Sequence, residues 1–204
     1  MNPSYFKLPL DKRKNIRNAG YKVFALSSYK KGSVVSIADN AGISKSLLFY
    51  YFTNKKEYYM YLFDTAVEFL NEQKAENIGN EKCDLFELIN RSVEQRIKVI
   101  HDYPYLFRFV TRAYYESDKE IKLEMQKRKK VLLKIGKEDI LKLISYKQFQ
   151  DPNDAEVLID IILNIAEGCM RGREDLKEIK IKEILPVFRH MMESLKMHYY
   201  KCEL

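Results

Sequence analysis

The chain has 204 residues, of which 46% are hydrophobic, and only seven glycines and five prolines. Such a length suits one large domain or two small ones, and the scarcity of helix breakers predicts a mostly helical protein. The three cysteines, Cys83, Cys169 and Cys202, are far apart and odd in number. They indicate neither a disulfide framework nor a zinc site, so we expect reduced thiols and no bound metal or cofactor.

Targeting signals are missing from the sequence. The N-terminal residues have no apolar core of a signal peptide, and the most apolar run, 157–166, contains Asp160 and Asn164. That run is too short to span a bilayer. We therefore expect a cytoplasmic protein without a membrane partner.

Positive charge is concentrated near the N-terminus. Residues 1–60 contain 11 Lys or Arg and 3 Asp or Glu, whereas the remaining residues contain 25 and 26. The net charge of +7 therefore comes entirely from the first 60 residues. This asymmetry favours an N-terminal module that binds a polyanion, and the alternative is a solvated basic face without a partner.

The first predicted helix begins near Pro9 and Asp11. Apolar residues from Ile16 to Phe24 recur at helical spacing, with basic residues between them. Gly32 is expected to end this helix, because glycine readily leaves the helical conformation.

Two short helices are predicted next. Ser33 is a good N-cap for the second helix, and Gly42 suits the left-handed conformation just past its end. Ser44 is the next N-cap, so a two-turn third helix is expected from Lys45 to about Phe52. Two short helices joined by the tight turn Ala-Gly-Ile-Ser, after a longer helix, form a helix-turn-helix unit.

Six further helices complete an all-α fold of about nine helices. Each is predicted from an apolar stripe, and several begin at a capping residue. They are expected at about 55–77, at about 84–101, from Pro104, at about 119–146, from Pro152 after the N-cap Asp151, and at about 180–199.

Four consecutive aromatic residues, 49–52, lie on the third helix between two lysines. Leu48 and Phe52 are four residues apart, so they are expected to face the core together. Phe49 and Tyr50 then point outward, unless they too are core aromatics, and the spacing does not place Tyr51. An exposed aromatic pair between lysines is better explained by a partner than by solvent.

Residues 33–57, SVVSIADNAGISKSLLFYYFTNKKE, resemble the DNA-binding module of the tetracycline-repressor (TetR) family. The family typically shows Thr-hydrophobic-x-x-Ile-Ala, then Ala-Gly-Val-Ser-x-x-x-Leu-Tyr-Tyr-x-Phe, then a small polar residue, lysine and an acidic residue. The matches have no insertions and are Ser33, Val34, Ile37, Ala38, Ala41, Gly42, Ile43, Ser44, Leu48, Phe49, Tyr50, Phe52, Asn54, Lys55 and Glu57. Three positions depart from the pattern, namely Ser46, Leu47 and Phe49, so no operator sequence is inferred.

The resemblance implies a helix-turn-helix DNA-binding domain at 1–54 and a helical ligand-binding and dimerisation domain at 55–204. The third helix would enter the major groove, with side chains at its N-terminal end reaching base edges and its neighbours holding phosphates. The residues expected to contact DNA are Ser33, Ser44, Lys45, Ser46, Leu47, Phe49, Tyr50 and Lys55.

The larger domain would bind a small effector and a second copy of the chain. Its aromatic residues indicate an apolar or aromatic ligand, although ordinary core packing is an alternative for each. Candidate pocket residues are Tyr103, Phe107, Tyr114 and Tyr115. The two C-terminal helices have wide apolar stripes, which favour a dimer interface over a purely internal core, through Leu158, Ile162, Ile165, Phe188, Met192 and Leu195.

The function expected from sequence is a homodimeric transcriptional regulator, a repressor that a small molecule releases from a palindromic operator in double-stranded DNA. The alternative is a helical small-molecule-binding or interaction protein without specific DNA binding. An enzyme is not expected, because the three histidines lie far from any catalytic or metal-binding motif.

Overall fold

The computed structural model describes residues 1–78, 82–170 and 181–201, with side chains described except at 73–78 and 181–182. The fold is all-α, as predicted, and the described residues form nine α-helices and two short 3-10 helices. The α-helices are α1 (Leu10–Leu26), α2 (Val34–Ala41), α3 (Lys45–Tyr51), α4 (Lys55–Ile78), α5 (Leu85–Asp102), α6 (Pro104–Tyr114), α7 (Lys122–Leu143), α8 (Ala155–Met170) and α9 (Ile181–Tyr199). The 3-10 helices are Pro3–Lys7, here called the N-terminal 3-10 helix, and Pro152–Asp154.

The chain forms two compact units. The first contains Met1–Glu72 and Val99–Lys127, and the second contains Gln73–Lys98 and Arg128–Leu204. The first unit therefore includes α1 to α3 together with α6. The division predicted from sequence, 1–54 and 55–204, stays a prediction about function, since compactness alone does not define a binding domain.

Aromatic side chains dominate the core of the first unit. Helix α1 packs against both α2 and α6. The rings of Phe24, Tyr59 and Phe109 lie 4.8 to 6.2 Å apart by their centroids, and all three are buried. The buried Tyr58 hydroxyl donates to the Ile16 carbonyl, 2.5 Å away. A tyrosine can be buried here because its hydroxyl finds a backbone acceptor.

Helix α1 ends six residues earlier than predicted. It stops at Leu26, where Ser27 takes an extended conformation and its hydroxyl donates to the Val23 carbonyl, 2.8 Å away. Gly32 has a different role from the expected helix stop. A Cβ there would lie 2.3 Å from Cε1 of Phe24, so Gly32 lets the chain pass close to that ring.

The second unit has an aliphatic core. Leu85, Leu88, Leu158, Ile159 and Ile162 are almost fully buried in it. The helix entry predicted at Asp151 is present, but Asp151 caps the 3-10 helix that precedes α8. Cys83 and Cys169 are free thiols, and Cys202 lies outside the described residues.

Candidate nucleic-acid interface

The turn between α2 and α3 is formed by the residues that the sequence indicated. Ser33 caps α2 by accepting from the Ser36 N–H at 3.2 Å, and Ser44 caps α3 by accepting from the Leu47 N–H at 3.1 Å. Gly42 lies between them with φ of +67°, and it alone among the described residues has a positive φ. The Ile43 N–H donates to the Ala38 carbonyl at 3.0 Å, which closes the turn.

Helix α3 is attached by one face, which leaves the other exposed. Leu48 is buried on the inner face, and Phe52, the residue that follows the helix, is fully buried. Lys45, Ser46 and Tyr50 are exposed on the opposite side. This placement follows the i to i+4 spacing of Leu48 and Phe52.

Leu47 and Phe49 are half-buried on the same helix. The Lys45 ammonium lies 5.9 Å from the centroid of the Phe49 ring, one helical turn away. At this distance the ring weakly attracts the ammonium and keeps it near the N-terminal end of α3. The predicted contact residues Ser44 to Tyr50 thus share one short segment, with Ser33 at the start of α2.

The N-terminal 3-10 helix packs against α3, and the sequence did not predict this contact. Its Tyr5 is fully buried, with ring centroids 5.7 Å from Tyr51 and 4.9 Å from Phe52. The Asn2 N–H donates to the Tyr51 carbonyl at 2.8 Å. Tyr51 is therefore a core residue whose partner lies 46 residues earlier in the chain. The signal that could have revealed it is Asn2-Pro3, an N-cap followed by proline at N1.

Tyr50 is 57% exposed, and its hydroxyl lies 3.2 Å from Oγ of Ser4. Hydrogen bonding by Ser4, and next by Asn2, lowers the pKa of Tyr50 below its ordinary value. This hydroxyl is the most accessible polar group at the C-terminal end of α3 and is suited to donate to an acceptor from outside the protein.

Lys55, at the start of α4, already has partners within the protein. Its ammonium donates to the Lys30 carbonyl at 3.2 Å and lies 4.8 Å from the centroid of the Tyr29 ring. Burial lowers the pKa of Lys55, and the carboxylates Glu116, Asp118 and Glu120 oppose this effect. The predicted phosphate contact of Lys55 would have to compete with these contacts.

Glu116, just past α6, was not singled out from sequence. Its carboxylate accepts from the Tyr29 N–H at 2.8 Å and from the N–H groups of Ser117 and Asp118. It thereby joins the end of α6 to the loop before α2. No local pattern could have indicated this contact, since Glu116 and Tyr29 are 87 residues apart.

The candidate pocket residues lie on or near α6 without enclosing a described cavity. Tyr103 is 43% exposed and its ring packs against Phe69, with 4.8 Å between centroids. Phe107, Tyr114 and Tyr115 are half-buried. A groove of about 490 Å³ in the second unit is lined by α5 and α9 residues, among them Phe86, and by none of these four.

Most of the candidate dimer residues belong to the core of the chain itself. Leu158, Ile162, Phe188 and Met192 are buried in the second unit, and Ile165 and Leu195 pack against the same cluster. Other apolar residues of the same helices are exposed, namely Val157, Val187 and Met191. The stripes on α8 and α9 are wide because one side of each fills the core and another side faces outward.

Two further searches concern the described part of the chain. None of its helices combines the length and the apolar character that a membrane crossing requires. Within the same residues, no cluster of three His, Cys, Asp or Glu is arranged to hold a metal ion.

The helix-turn-helix with an exposed, capped and basic third helix defines a DNA-binding transcriptional regulator. Residues 16–58 match the family model described as bacterial regulatory proteins, tetR family. The chain is a member of the TetR family, as the motif in residues 33–57 indicated. No curated protein matches the sequence.

Solved structures of the same fold cover nearly the whole chain. A TetR family transcriptional regulator from Chloroflexus aurantiacus J-10-FL has a TM-score of 0.65 at 17% identity, covering 98% of this chain and 99% of that chain. The fatty acid degradation regulator FadR from Bacillus halodurans has 0.66 at 21%, covering 88% and 97%. The ketosteroid transcriptional regulator KstR2 of Mycobacterium tuberculosis has 0.61 at 16%, covering 96% and 98%.

Proposed function

We propose that this regulator is a homodimeric repressor that binds a palindromic operator through α3 and that a small ligand releases it. The observation that best supports this is the exposed face of α3, on which Lys45, Ser46 and Tyr50 are available beside a helix end capped by Ser44. A lysine can neutralise a phosphate or donate to guanine, and a serine or tyrosine hydroxyl can donate to phosphate oxygens.

The proposed DNA contacts are those expected from sequence, with different weights. Lys45, Ser46 and Tyr50 are exposed and form the main contact set, while Leu47 and Phe49 offer partly exposed apolar surface to thymine methyl groups. The backbone ends at Ser33 and Ser44 can receive phosphates. Lys55 contributes only if its ammonium leaves the Lys30 carbonyl.

Ligand control is proposed from the contact between α6 and the loop before α2. Because the Glu116 carboxylate holds the Tyr29 N–H, a ligand that displaces the end of α6 would disturb the support of α2 and α3. The aromatic residues of α6, Tyr103 to Tyr115, favour an apolar or aromatic effector. Two neighbours of the fold are named for fatty acid degradation and for ketosteroids, which are apolar compounds.

Dimerisation is proposed through the exposed sides of α8 and α9. Val157, Val187 and Met191 offer apolar surface there, whereas the residues first expected at the interface are needed by the core. A dimer would present two copies of α3 and would match a two-fold symmetric operator. We assign no catalytic activity.

The test is DNA binding by the purified full chain, measured by fluorescence anisotropy on DNA from upstream of its own gene and on scrambled DNA. We expect tighter binding to the first, weakening as salt rises. Lys45→Ala should reduce the affinity about fivefold or more, equivalent to about 1 kcal/mol, and reduce the salt dependence.

The matched control is Lys134→Ala, which removes an equally charged and exposed lysine from α7 in the second unit. It should leave the affinity unchanged. Equal, salt-insensitive binding to both DNAs would contradict the proposal and favour a binding protein without specific DNA recognition. Equal losses in the two variants would show that only net charge matters.

A further inference from the structure

The N-terminal 3-10 helix is firmly attached to the end of α3 that bears Tyr50. The buried Tyr5 ring anchors it by edge contacts with Tyr51 and Phe52, and the Asn2 N–H donates to the Tyr51 carbonyl. Asn2 also caps the 3-10 helix by accepting from the Ser4 N–H at 3.0 Å. Ser4 is therefore held in a fixed position beside the exposed Tyr50 side chain.

A short chain of hydrogen bonds links these polar side chains. Oγ of Ser4 lies 2.5 Å from Oδ1 of Asn2 and 3.2 Å from the Tyr50 hydroxyl. Ser4 has one hydroxyl proton, so it can donate to either neighbour but not to both. When it donates to Asn2, the Tyr50 hydroxyl can donate only to Ser4 and is not available to another acceptor.

The second arrangement frees the proton of Tyr50. If Ser4 donates to the Tyr50 oxygen, Oδ1 of Asn2 still accepts from the Ser4 N–H and no polar group is left without a partner. The Tyr50 proton then points to whatever acceptor lies outside. A hydroxyl that accepts one hydrogen bond becomes a stronger donor in the next, because the bonds polarise each other.

We propose that Ser4, oriented by Asn2, is a positioning residue that holds the Tyr50 hydroxyl as a donor to a DNA phosphate. This inference rests on the proposed DNA-binding function and extends the binding surface to the N-terminal 3-10 helix. A phosphate oxygen only accepts hydrogen bonds, so its arrival selects the arrangement in which Ser4 donates to Tyr50. The lowered pKa of Tyr50 agrees with bonds received from Ser4 and Asn2.

A double-mutant cycle tests the coupling of these two hydroxyls. The full chain and its Ser4→Ala, Tyr50→Phe and doubly substituted variants are compared for affinity to the same upstream DNA. We expect Tyr50→Phe and Ser4→Ala each to weaken binding about three- to tenfold, since each removes a hydrogen bond or its support. The double variant should bind no more weakly than Tyr50→Phe alone, because Ser4 acts through Tyr50.

Ser117→Ala is the control, since Ser117 is exposed in the loop after α6. It should leave the affinity unchanged in both the wild-type and the Tyr50→Phe backgrounds. An unchanged affinity in Ser4→Ala would overturn the proposal. So would an equal loss on adding Ser4→Ala to Tyr50→Phe, which would show that Ser4 acts on the fold instead.

A second measurement does not need DNA. In the free protein with ¹³C-labelled tyrosine, NMR titration should show a higher pKa for Tyr50 in Ser4→Ala than in the wild type, because a bond to the phenolate is lost. An unshifted Tyr50 pKa would also overturn the proposal. If the wild type bound no DNA specifically while this pKa shift was observed, the DNA-binding function would be wrong and the polarisation of Tyr50 would stand.

Discussion

Gly42 allows α3 to leave the end of α2 at the required angle. Its φ of +67° is one that a side chain with a Cβ disfavours, although no atom lies within 4 Å of where that Cβ would be. Strain rather than collision therefore sets the cost of substitution. We expect Gly42→Ala to lower the free energy of unfolding by about 1 kcal/mol, as measured by urea denaturation.

Gly136 provides the matched control, since it lies within α7 and a Cβ there would also meet nothing within 4 Å. Its φ is not positive, so Gly136→Ala should raise the free energy of unfolding by up to about 1 kcal/mol. A similar change in both variants would mean that the left-handed conformation of Gly42 does not matter for stability.

The residues of α3 show what spacing alone can predict. Leu48 and Phe52 face the core and Tyr50 faces outward, because positions four apart on a helix must share a side. Tyr51 could not be placed, since its burial depends on Tyr5. Periodicity describes one helix at a time, whereas a contact with a distant segment has no local signature.

At the scale of elements, helix starts were predicted better than helix ends. The starts of α2, α3 and α4 depend on side chains within three residues, namely Ser33, Ser44 and Asn54. The end of α1 at Leu26 depends on a serine hydroxyl returning to the backbone. Gly32 suggested a later end because its actual constraint, the ring of Phe24, comes from packing.

The start of α4 makes a prediction about pH. The Glu57 carboxylate accepts from the Thr53 N–H at 2.7 Å and from the amino group of Met1. The bond from that amino group is the main reason that the pKa of Glu57 lies below its ordinary value of 4.5. A carboxylate with a lowered pKa stabilises the fold above its unfolded pKa and loses this contribution as pH falls through the folded value.

We therefore expect Glu57→Gln to lower the free energy of unfolding by up to about 1 kcal/mol at neutral pH, since the group is partly exposed. The difference from the wild type should shrink as pH falls below 4.5, the ordinary value. Urea denaturation at several pH values measures it. Glu68→Gln, on an exposed position of α4, should show no such dependence; a constant deficit in Glu57→Gln would contradict the assignment.

For the whole molecule, the uncertain feature from sequence was the interface between copies. The apolar stripes of α8 and α9 indicated a dimer, but the sequence could not tell which residues of each stripe fill the core. Leu158 and Ile162 are buried in the chain itself, while Val187 is 52% exposed. Separating them required the packing of α8 against α9, which no local pattern records.

We expect Val187→Glu to shift the protein from dimer to monomer in size-exclusion chromatography with light scattering, because the interface would have to bury an unpaired charge. The same variant should bind operator DNA more weakly, since two half-sites would no longer be engaged together. Leu10→Glu is the control, as Leu10 is exposed at the start of α1. A Val187→Glu variant that stayed dimeric would place the interface elsewhere.

The contact between Glu116 and the Tyr29 N–H also works in the reverse direction. If displacement of the end of α6 loosens the loop before α2, then DNA that orders this loop must, by the same free energy, restrain the end of α6. An operator-bound molecule would thus take up its effector with lower affinity than a free one. The regulator would then ignore brief rises in effector concentration while it is seated on DNA, and a modest excess of unbound copies would capture the effector first.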